Sequence, residues 1–162
     1  MLAPPKMVAF NAEETPGDAI ESVAAQECVD VEHIMVDGGS RGGTLRVMRN
    51  HKDKIAKWIS EKDRGLYDAM NKGVGLATGD VIGFLNADDI YANNKVLFRV
   101  GSVVRKGLDG CYADVVFVRN DLQTVVRHYR SGRFHVGRLA YGWMPRTRPC
   151  FSVVNYSSAT VI

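Results

Sequence analysis

Two adjacent aspartates, Asp88 and Asp89, come shortly after an apolar run at residues 81–85. The run is continuous rather than alternating, which predicts a strand that is covered on both faces. Neighbouring carboxylates at the end of such a strand repel each other unless a positive charge lies beside them. A divalent cation supplies that charge, because Mg²⁺ and Mn²⁺ bind one or two carboxylates and fill their remaining positions with water and phosphate oxygens. A turn capped by an aspartate is the simpler explanation of the pair taken alone.

Polar side chains also follow two other predicted strands. Asn11 and Glu13 come after a first strand at residues 7–10, and Asp37 comes after a second at residues 31–36. Asn86 ends the apolar run that precedes the aspartate pair. In open parallel sheets the ligand lies beyond the carboxyl ends of the strands, where loops and helix N-termini converge. We therefore expect the chemistry of this protein at that edge.

The glycine-rich stretch DGGSRGGT, residues 37–44, could form a turn that holds phosphate. Its spacing matches neither the GxGxxG pattern of dinucleotide-binding proteins nor the P-loop, which needs Lys and then Ser or Thr after its last glycine. Neither of those two classes therefore has its fingerprint in this chain. A loop whose backbone simply requires positive φ angles remains the alternative explanation of the glycines.

Strands and helices alternate along the first 106 residues, which indicates an α/β domain with a mainly parallel sheet. Two further strands are predicted at residues 55–59 and 81–85, and helices are predicted to begin at Pro16 and to cover residues 44–52, 66–77 and 96–106. Beyond the last helix, residues 111–118 and 124–129 predict an antiparallel hairpin around the polar turn RNDLQ.

The chain of 162 residues is long enough for one hydrophobic core. Its uninterrupted apolar runs reach four residues or so, far short of the roughly 20 that cross a bilayer. The three cysteines are widely spaced and contain no CxxC pair, so neither a disulfide framework nor a zinc site is indicated.

Residues 119–148 hold seven arginines against one acid, which leaves 14 basic and 17 acidic residues in the first 118. Such a basic end could bind phosphates, an anionic membrane surface or nucleic acid. The alternative is an arginine-rich face that only contacts solvent.

Three segments carry a resemblance to a known family: VDGGSRGGT at residues 36–44, WISEKDRGLYDAMNKGVGLATGD at 58–80, and VIGFLNADDIY at 81–91. Together they resemble the family 2 glycosyltransferases, in particular the bacterial branch that builds polysaccharides. The resemblance covers residues 7 to about 145. It implies a GT-A fold, a UDP- or GDP-sugar donor, a divalent metal (Mn²⁺ or Mg²⁺), and a sugar or lipid-linked acceptor.

The resemblance also implies roles for residues on the nucleotide side of the site. Phe10 would lie against the nucleobase, and Asp37 would accept a hydrogen bond from it. Asp68 and Asn71 match the family's YDAMNKG helix and would shape the donor site, although a role on the helix surface is the alternative. Asn11 and Glu13, from the first strand end, are predicted to belong to the same donor site.

The segment FLNADD takes the place of the family's acidic metal-binding motif. Asn86 stands where an acid often lies. Asp88 would then lie near the ribose and the metal, and Asp89 is the second metal candidate. The metal would bridge the donor diphosphate and offset the charge on the leaving group as an acceptor hydroxyl attacks the anomeric carbon.

The sequence departs from the family on the acceptor side. The family takes its general base from a segment beyond the hairpin, yet no Asp or Glu follows Asp121. Gly42 also stands where an acid is usual. We therefore predict one glycosyltransferase-like domain at residues 1–145 and an atypical or truncated tail at residues 146–162. No catalytic residue is assigned, and the expectation is weak transfer or none unless a partner completes the site.

Other functions compete with this one. A non-catalytic remnant that binds a nucleotide sugar or a partner protein is the first alternative. A nucleotidyltransferase would need a basic glycine-rich loop after the first strand, where this chain has the acidic NAEETPG. Nucleic-acid binding is not expected, because the arginines lack an aromatic stacking platform. The expected location is the cytoplasm, with the arginines from 127 to 148 able to meet the donor diphosphate, a lipid phosphate or the anionic inner face of the membrane.

Overall fold

A computed structural model of the chain describes residues 5–9, 16–27, 30–104, 110–133, 137 and 150–153. It contains strands that alternate with helices, followed by a mostly β region. In chain order the elements are β1 (Pro5–Ala9), α1 (Pro16–Ala24), β2 (Ile34–Asp37), α2 (Gly43–Asn50), a short 3-10 helix (Lys52–Lys54), β3 (Lys57–Ser60), α3 (Leu66–Leu76), β4 (Val81–Asn86), α4 (Val96–Val104), β5 (Gly110–Tyr112), β6 (Val115–Val118), β7 (Val125–Tyr129) and β8 (Cys150–Val153).

Six strands form one sheet in the order β3-β2-β1-β4-β8-β5. The first four are parallel, while β8 runs antiparallel to both of its neighbours. Val8 of β1 pairs with Val36 on one side and Asn86 on the other, so β2, β1 and β4 end at nearly the same level. This arrangement confirms the predicted α/β fold with a mainly parallel sheet, and it brings Asp37 and Asn86, at the ends of β2 and β4, to one edge.

The sheet is covered on both faces, as the apolar run of β4 predicts. One buried cluster joins the sheet to α1, α2 and α4; it includes Ile20, Met35, Met48, Leu85 and Leu97. The other joins it to α3 and includes Ile34, Val36, Met70, Val74 and Ile82. Successive residues of β2 therefore face opposite sides of the sheet. Within the described part of the chain, no helix is long and apolar enough to cross a membrane.

The prediction of one strand at residues 111–118 is wrong, because the structure divides this segment into β5 and β6. The chain turns at Ala113 and Asp114, where Ser131 donates its N–H to Asp114 Oδ1 at 2.8 Å and its hydroxyl to the Ala113 carbonyl at 2.8 Å. β5 then pairs with β8 in the main sheet, while β6 pairs with β7 in a separate two-stranded ribbon. The remaining predicted elements are present, with ends shifted by a few residues.

Candidate functional site

Asp37, the last residue of β2, is fully buried at the carboxyl edge of the sheet. Its Oδ2 accepts hydrogen bonds from the Ser40 N–H at 2.9 Å and the Ser60 hydroxyl at 2.6 Å. No donor among the described residues reaches its buried Oδ1. A buried acceptor without a partner costs about 1–3 kcal/mol, so a ligand N–H or O–H at Oδ1 would remove that penalty. The geometry thus holds one carboxylate oxygen in place and leaves the other without a donor among the described residues.

The glycines after Asp37 set the path of its loop. Gly39 and Gly42 have φ angles of 89° and 100°, which side chains rarely adopt. A Cβ at Gly39 would also lie only 3.3 Å from the backbone nitrogen of Lys62. Glycine at position 39 therefore lets this loop lie against the segment that follows β3, where the Glu61 N–H donates to the Asp37 carbonyl at 3.0 Å.

Asp63, between β3 and α3, repeats the pattern seen at Asp37. Its Oδ1 accepts a hydrogen bond from the Gly65 N–H at 2.9 Å, and its buried Oδ2 has no donor among the described residues. The sequence-based prediction did not include Asp63. The third strand ends at the same edge of the sheet as the first, second and fourth, so the position after it was an equally good candidate. Asp63 lies three residues beyond Ser60, which contacts Asp37 directly.

The acidic pair after β4 lies in a tight turn that Asn86 organises. The buried Asn86 side chain donates from Nδ2 to Asp89 Oδ2 at 2.8 Å, and the Asp89 N–H donates to the Asn86 carbonyl at 3.1 Å. Asp88 is exposed and Asp89 is half-buried. An asparagine at position 86 ties Asp89 in place without a third negative charge.

The carboxylate oxygens of this turn are the type of donor atom that a hard divalent cation takes. The described residues contain no group of three or more His, Cys, Asp or Glu side chains that could hold a metal. A cation at Asp88 and Asp89 would therefore depend on a ligand for most of its shell, as Mg²⁺ does when it binds through one or two carboxylates and substrate phosphates. β1 separates β2 from β4, so the strand ends at Asp37 and Asn86 lie about 10 Å apart.

Asp68 of α3 makes contacts on the surface of its helix, in line with the alternative that the sequence left open. Its Oδ2 accepts from the Arg64 N–H at 3.1 Å and its Oδ1 from the Arg64 guanidinium at 2.8 Å, while Lys72 lies 3.8 Å away. Arg64, with a smaller contribution from Lys72, holds the pKa of Asp68 below its ordinary value. Both oxygens thus stabilise the start of α3. Asn71 lies half-buried in the same helix.

Three predicted donor residues, Phe10, Asn11 and Glu13, lie outside the described residues. Among the others, the structure gathers Asp37, Asn86, Asp88 and Asp89 at the carboxyl edge of neighbouring strands, and it places Asp68 and Asn71 on the helix that follows β3.

Comparison with known proteins identifies the family of this chain. The sequence profile described as Glycosyl transferase family 2 matches residues 7–159. The chain belongs to glycosyltransferase family 2. The family resemblance predicted from the three sequence segments is thereby confirmed.

Two curated relatives come from bacteria. A PGL/p-HBAD biosynthesis glycosyltransferase of Mycobacterium tuberculosis is 37% identical over 127 residues, which are 75% of this chain and 47% of the relative. The UDP-Glc:alpha-D-GlcNAc-diphosphoundecaprenol beta-1,3-glucosyltransferase WfgD of Escherichia coli is 27% identical over 116 residues, or 71% of this chain and 46% of WfgD. The chain thus spans about half the length of the curated relatives it matches.

Solved structures show that this family 2 chain has the GT-A fold. Staphylococcus aureus TarS 1-349, solved with UDP-GlcNAc, matches with a TM-score of 0.65 and 19% identity over 74% of this chain and 36% of TarS. The mannosyltransferase PcManGT of Pyrobaculum calidifontis, solved with GDP-Man and Mn²⁺, matches with a TM-score of 0.53 and 20% identity over 74% of this chain and 36% of that protein. At these identities the likeness concerns the fold alone.

Proposed function

We propose that this chain forms the donor-binding part of a glycosyltransferase that uses a UDP- or GDP-linked sugar. The observation that carries the proposal is the fully buried Asp37 carboxylate, whose Oδ1 meets no donor among the described residues. It lies where parallel α/β sheets bind their ligands. Family membership, and the nucleotide sugars with which TarS and PcManGT were solved, support the same assignment.

The donor nucleotide would be recognised by its hydrogen-bond donors. Asp37 Oδ1 accepts an N–H of the base, and Asp63 Oδ2 accepts a second N–H or a ribose hydroxyl. Both carboxylates are held by their loops before the ligand arrives, so little side-chain entropy is lost on binding. Phe10, Asn11 and Glu13 after β1, with Asp68 and Asn71 on α3, remain proposed members of the same donor site.

Asp88 and Asp89 would hold Mn²⁺ or Mg²⁺ against the donor diphosphate. When bound, such a cation offsets the negative charge that develops on the leaving diphosphate. The Asn86 amide keeps Asp89 oriented in its turn at 2.8 Å. The Mn²⁺ with which PcManGT was solved supports a divalent metal for this fold.

Transfer to an acceptor additionally requires that an acceptor hydroxyl lose its proton, for which a carboxylate base is the usual group. Residues 122–162 contain no Asp or Glu, so such a base would come from another segment or a partner chain. We propose a polysaccharide or lipid-linked acceptor, in line with the diphosphoundecaprenol in the name of WfgD, and a cytoplasmic location. The alternative is a protein that binds nucleotide sugars without transferring them.

Calorimetric titration with UDP and with GDP, each with and without Mn²⁺, tests donor binding. We expect Mn²⁺-dependent binding of at least one nucleotide, and loss of the Mn²⁺ dependence in Asp88→Ala and Asp89→Ala. Asp53→Ala is the matched control, since it removes an exposed aspartate from the 3-10 helix. Equal binding in all four proteins would refute the metal site. Release of sugar from the donor, or its transfer to an acceptor, then separates a transferase from a non-catalytic binder.

A further inference from the structure

The two-stranded ribbon of β6 and β7 exposes an unusual number of apolar side chains. Nine large apolar or aromatic side chains are exposed in the described part of the chain, and five of them lie in this hairpin. We define the hairpin surface by these five residues and the four arginines beside them: Val116, Phe117, Leu122, Val125 and Val126, with Arg119, Arg127, Arg130 and Arg133. Side chains concentrated in this way mark an interaction site more often than single exposed ones do.

Apolar side chains are exposed on both faces of the ribbon. Val116 and Phe117 are neighbours in β6 and therefore point to opposite faces, yet they are 38% and 40% exposed. Val126 in β7 is 63% exposed. A protein partner or a second copy of the chain would typically cover one face of a ribbon. A lipid surface surrounds an inserted ribbon on all sides, so exposure on both faces favours lipid.

Leu122 at the tip of the hairpin is a second, independent observation. It is 43% exposed and has a φ of 57°, the left-handed region that glycine and asparagine enter at lower cost than leucine. Its N–H donates to the Arg119 carbonyl at 2.9 Å, and Asp121 Oδ1 accepts from the N–H groups of Gln123 and Thr124. The turn is thus held by several hydrogen bonds and presents an apolar side chain to solvent. Folding alone does not explain a leucine there, whereas an apolar ligand does.

The charges of the hairpin surface complement an anionic partner. Arg119, Arg127, Arg130 and Arg133 are all exposed. The acid between them, Asp121, is held by the turn, and its pKa is kept below its ordinary value by hydrogen bonds from Thr124 and Gln123. Every cation here is arginine, whose planar guanidinium binds phosphate oxygens in pairs.

We propose that the hairpin surface binds the headgroup region of an anionic phospholipid bilayer. Leu122 and the neighbouring valines enter the boundary between headgroups and acyl chains, and the arginines contact lipid phosphates around them. This function goes beyond donor binding, and it would hold the donor site beside a membrane where lipid-linked acceptors are found.

Co-sedimentation with vesicles tests the proposal, using mixed phosphatidylglycerol and phosphatidylcholine against phosphatidylcholine alone. We expect binding to the anionic vesicles only. Leu122→Asn removes the apolar side chain while suiting the left-handed backbone, and should weaken binding about tenfold. The double change Arg119→Gln and Arg127→Gln should weaken it about 30-fold, at about 1 kcal/mol for each arginine. Thermal melting should show that the variants stay folded.

A matched control takes the same types of residue from α4. Phe98→Gln with Arg99→Gln removes an exposed aromatic residue and an exposed cation from that helix, and it should leave vesicle binding unchanged. Equal binding to both vesicle types, or equal loss in the control, would overturn the proposal. So would a lower mass by light scattering for the hairpin variants than for the parent chain, because a second copy would then cover the surface. Vesicle binding is measured without nucleotide, so Asp37→Asn should leave it intact even if donor binding fails.

Discussion

The carboxyl edge of the sheet and the β6–β7 ribbon place their side chains in opposite ways. At the edge, polar groups such as Asp37 and Asn86 are buried and largely bonded, while the apolar residues of the strands pack on both faces of the sheet. In the ribbon, apolar residues are exposed and arginines surround them. The first arrangement stabilises the fold and leaves Asp37 Oδ1 without a donor among the described residues. The second contributes little to the fold and suits a partner outside the chain.

The largest expected effect is a difference in unfolding free energy between a side-chain truncation in the sheet and one in the ribbon. Ile34→Ala removes a fully buried side chain from the face that packs on α3, and should lower the free energy of unfolding by about 2–5 kcal/mol. Val126→Ala removes an exposed side chain and should change it by less than about 0.5 kcal/mol. Urea unfolding measures both. A similar loss in the two variants would mean that the ribbon is packed in solution, and the two regions would then not differ in this way.

A second effect arises at His33, a buried residue at the opposite end of β2 from Asp37. Burial lowers the pKa of His33 from 6.5 to about 4, partly offset by its Nδ1 contact with the Lys54 carbonyl at 3.2 Å. The unfolded chain takes up a proton below pH 6.5, whereas the folded chain does so only near pH 4. Stability should therefore fall as the pH drops between those values, by about 3 kcal/mol in total.

Urea unfolding at pH 7 and pH 4.5 measures this dependence. His33→Gln should flatten it, because the ionising group is gone from both states. His128→Gln, on the exposed ribbon, is the matched control and should leave the dependence in place. If stability still falls with pH in the His33 variant, the pH dependence arises from another group in the molecule.

A smaller effect is expected at Glu32, before β2. Its Oε2 accepts from the N–H and the hydroxyl of Thr78, each at 2.9 Å, and it forms an ion pair with Lys57. Burial raises the pKa of Glu32, but the bonds from Lys57 and Thr78 outweigh burial and hold it below the ordinary value. Glu32→Gln should cost about 1 kcal/mol in unfolding free energy at pH 7, and a cost equal to that of the exposed Glu27→Gln would contradict this.

The sequence predicted the sheet edge better than the ribbon for physical reasons. Strands covered on both faces need continuous apolar runs, so β4 and the aspartates that follow it could be predicted from the sequence. The break between β5 and β6 could not be predicted from the sequence, because it depends on the pairing of β5 with β8. That strand lies about 40 residues further along the chain, inside the predicted tail of residues 146–162. Asp63 was missed because the position after the third strand was not considered, although it lies at the same edge. That one of its oxygens lacks a donor is a feature of three-dimensional packing.

Asp37 is proposed to accept a hydrogen bond from a donor nucleotide, with Asp63 as a second acceptor. Asp37→Asn tests it most directly, because the amide oxygen can still accept from Ser40 and Ser60 while an N–H group replaces the unsatisfied oxygen. Calorimetric titration with UDP and GDP should show binding about 10- to 100-fold weaker than in the parent chain, with Asp63→Asn weakened in the same sense. Undiminished affinity for both nucleotides in Asp37→Asn would contradict the account.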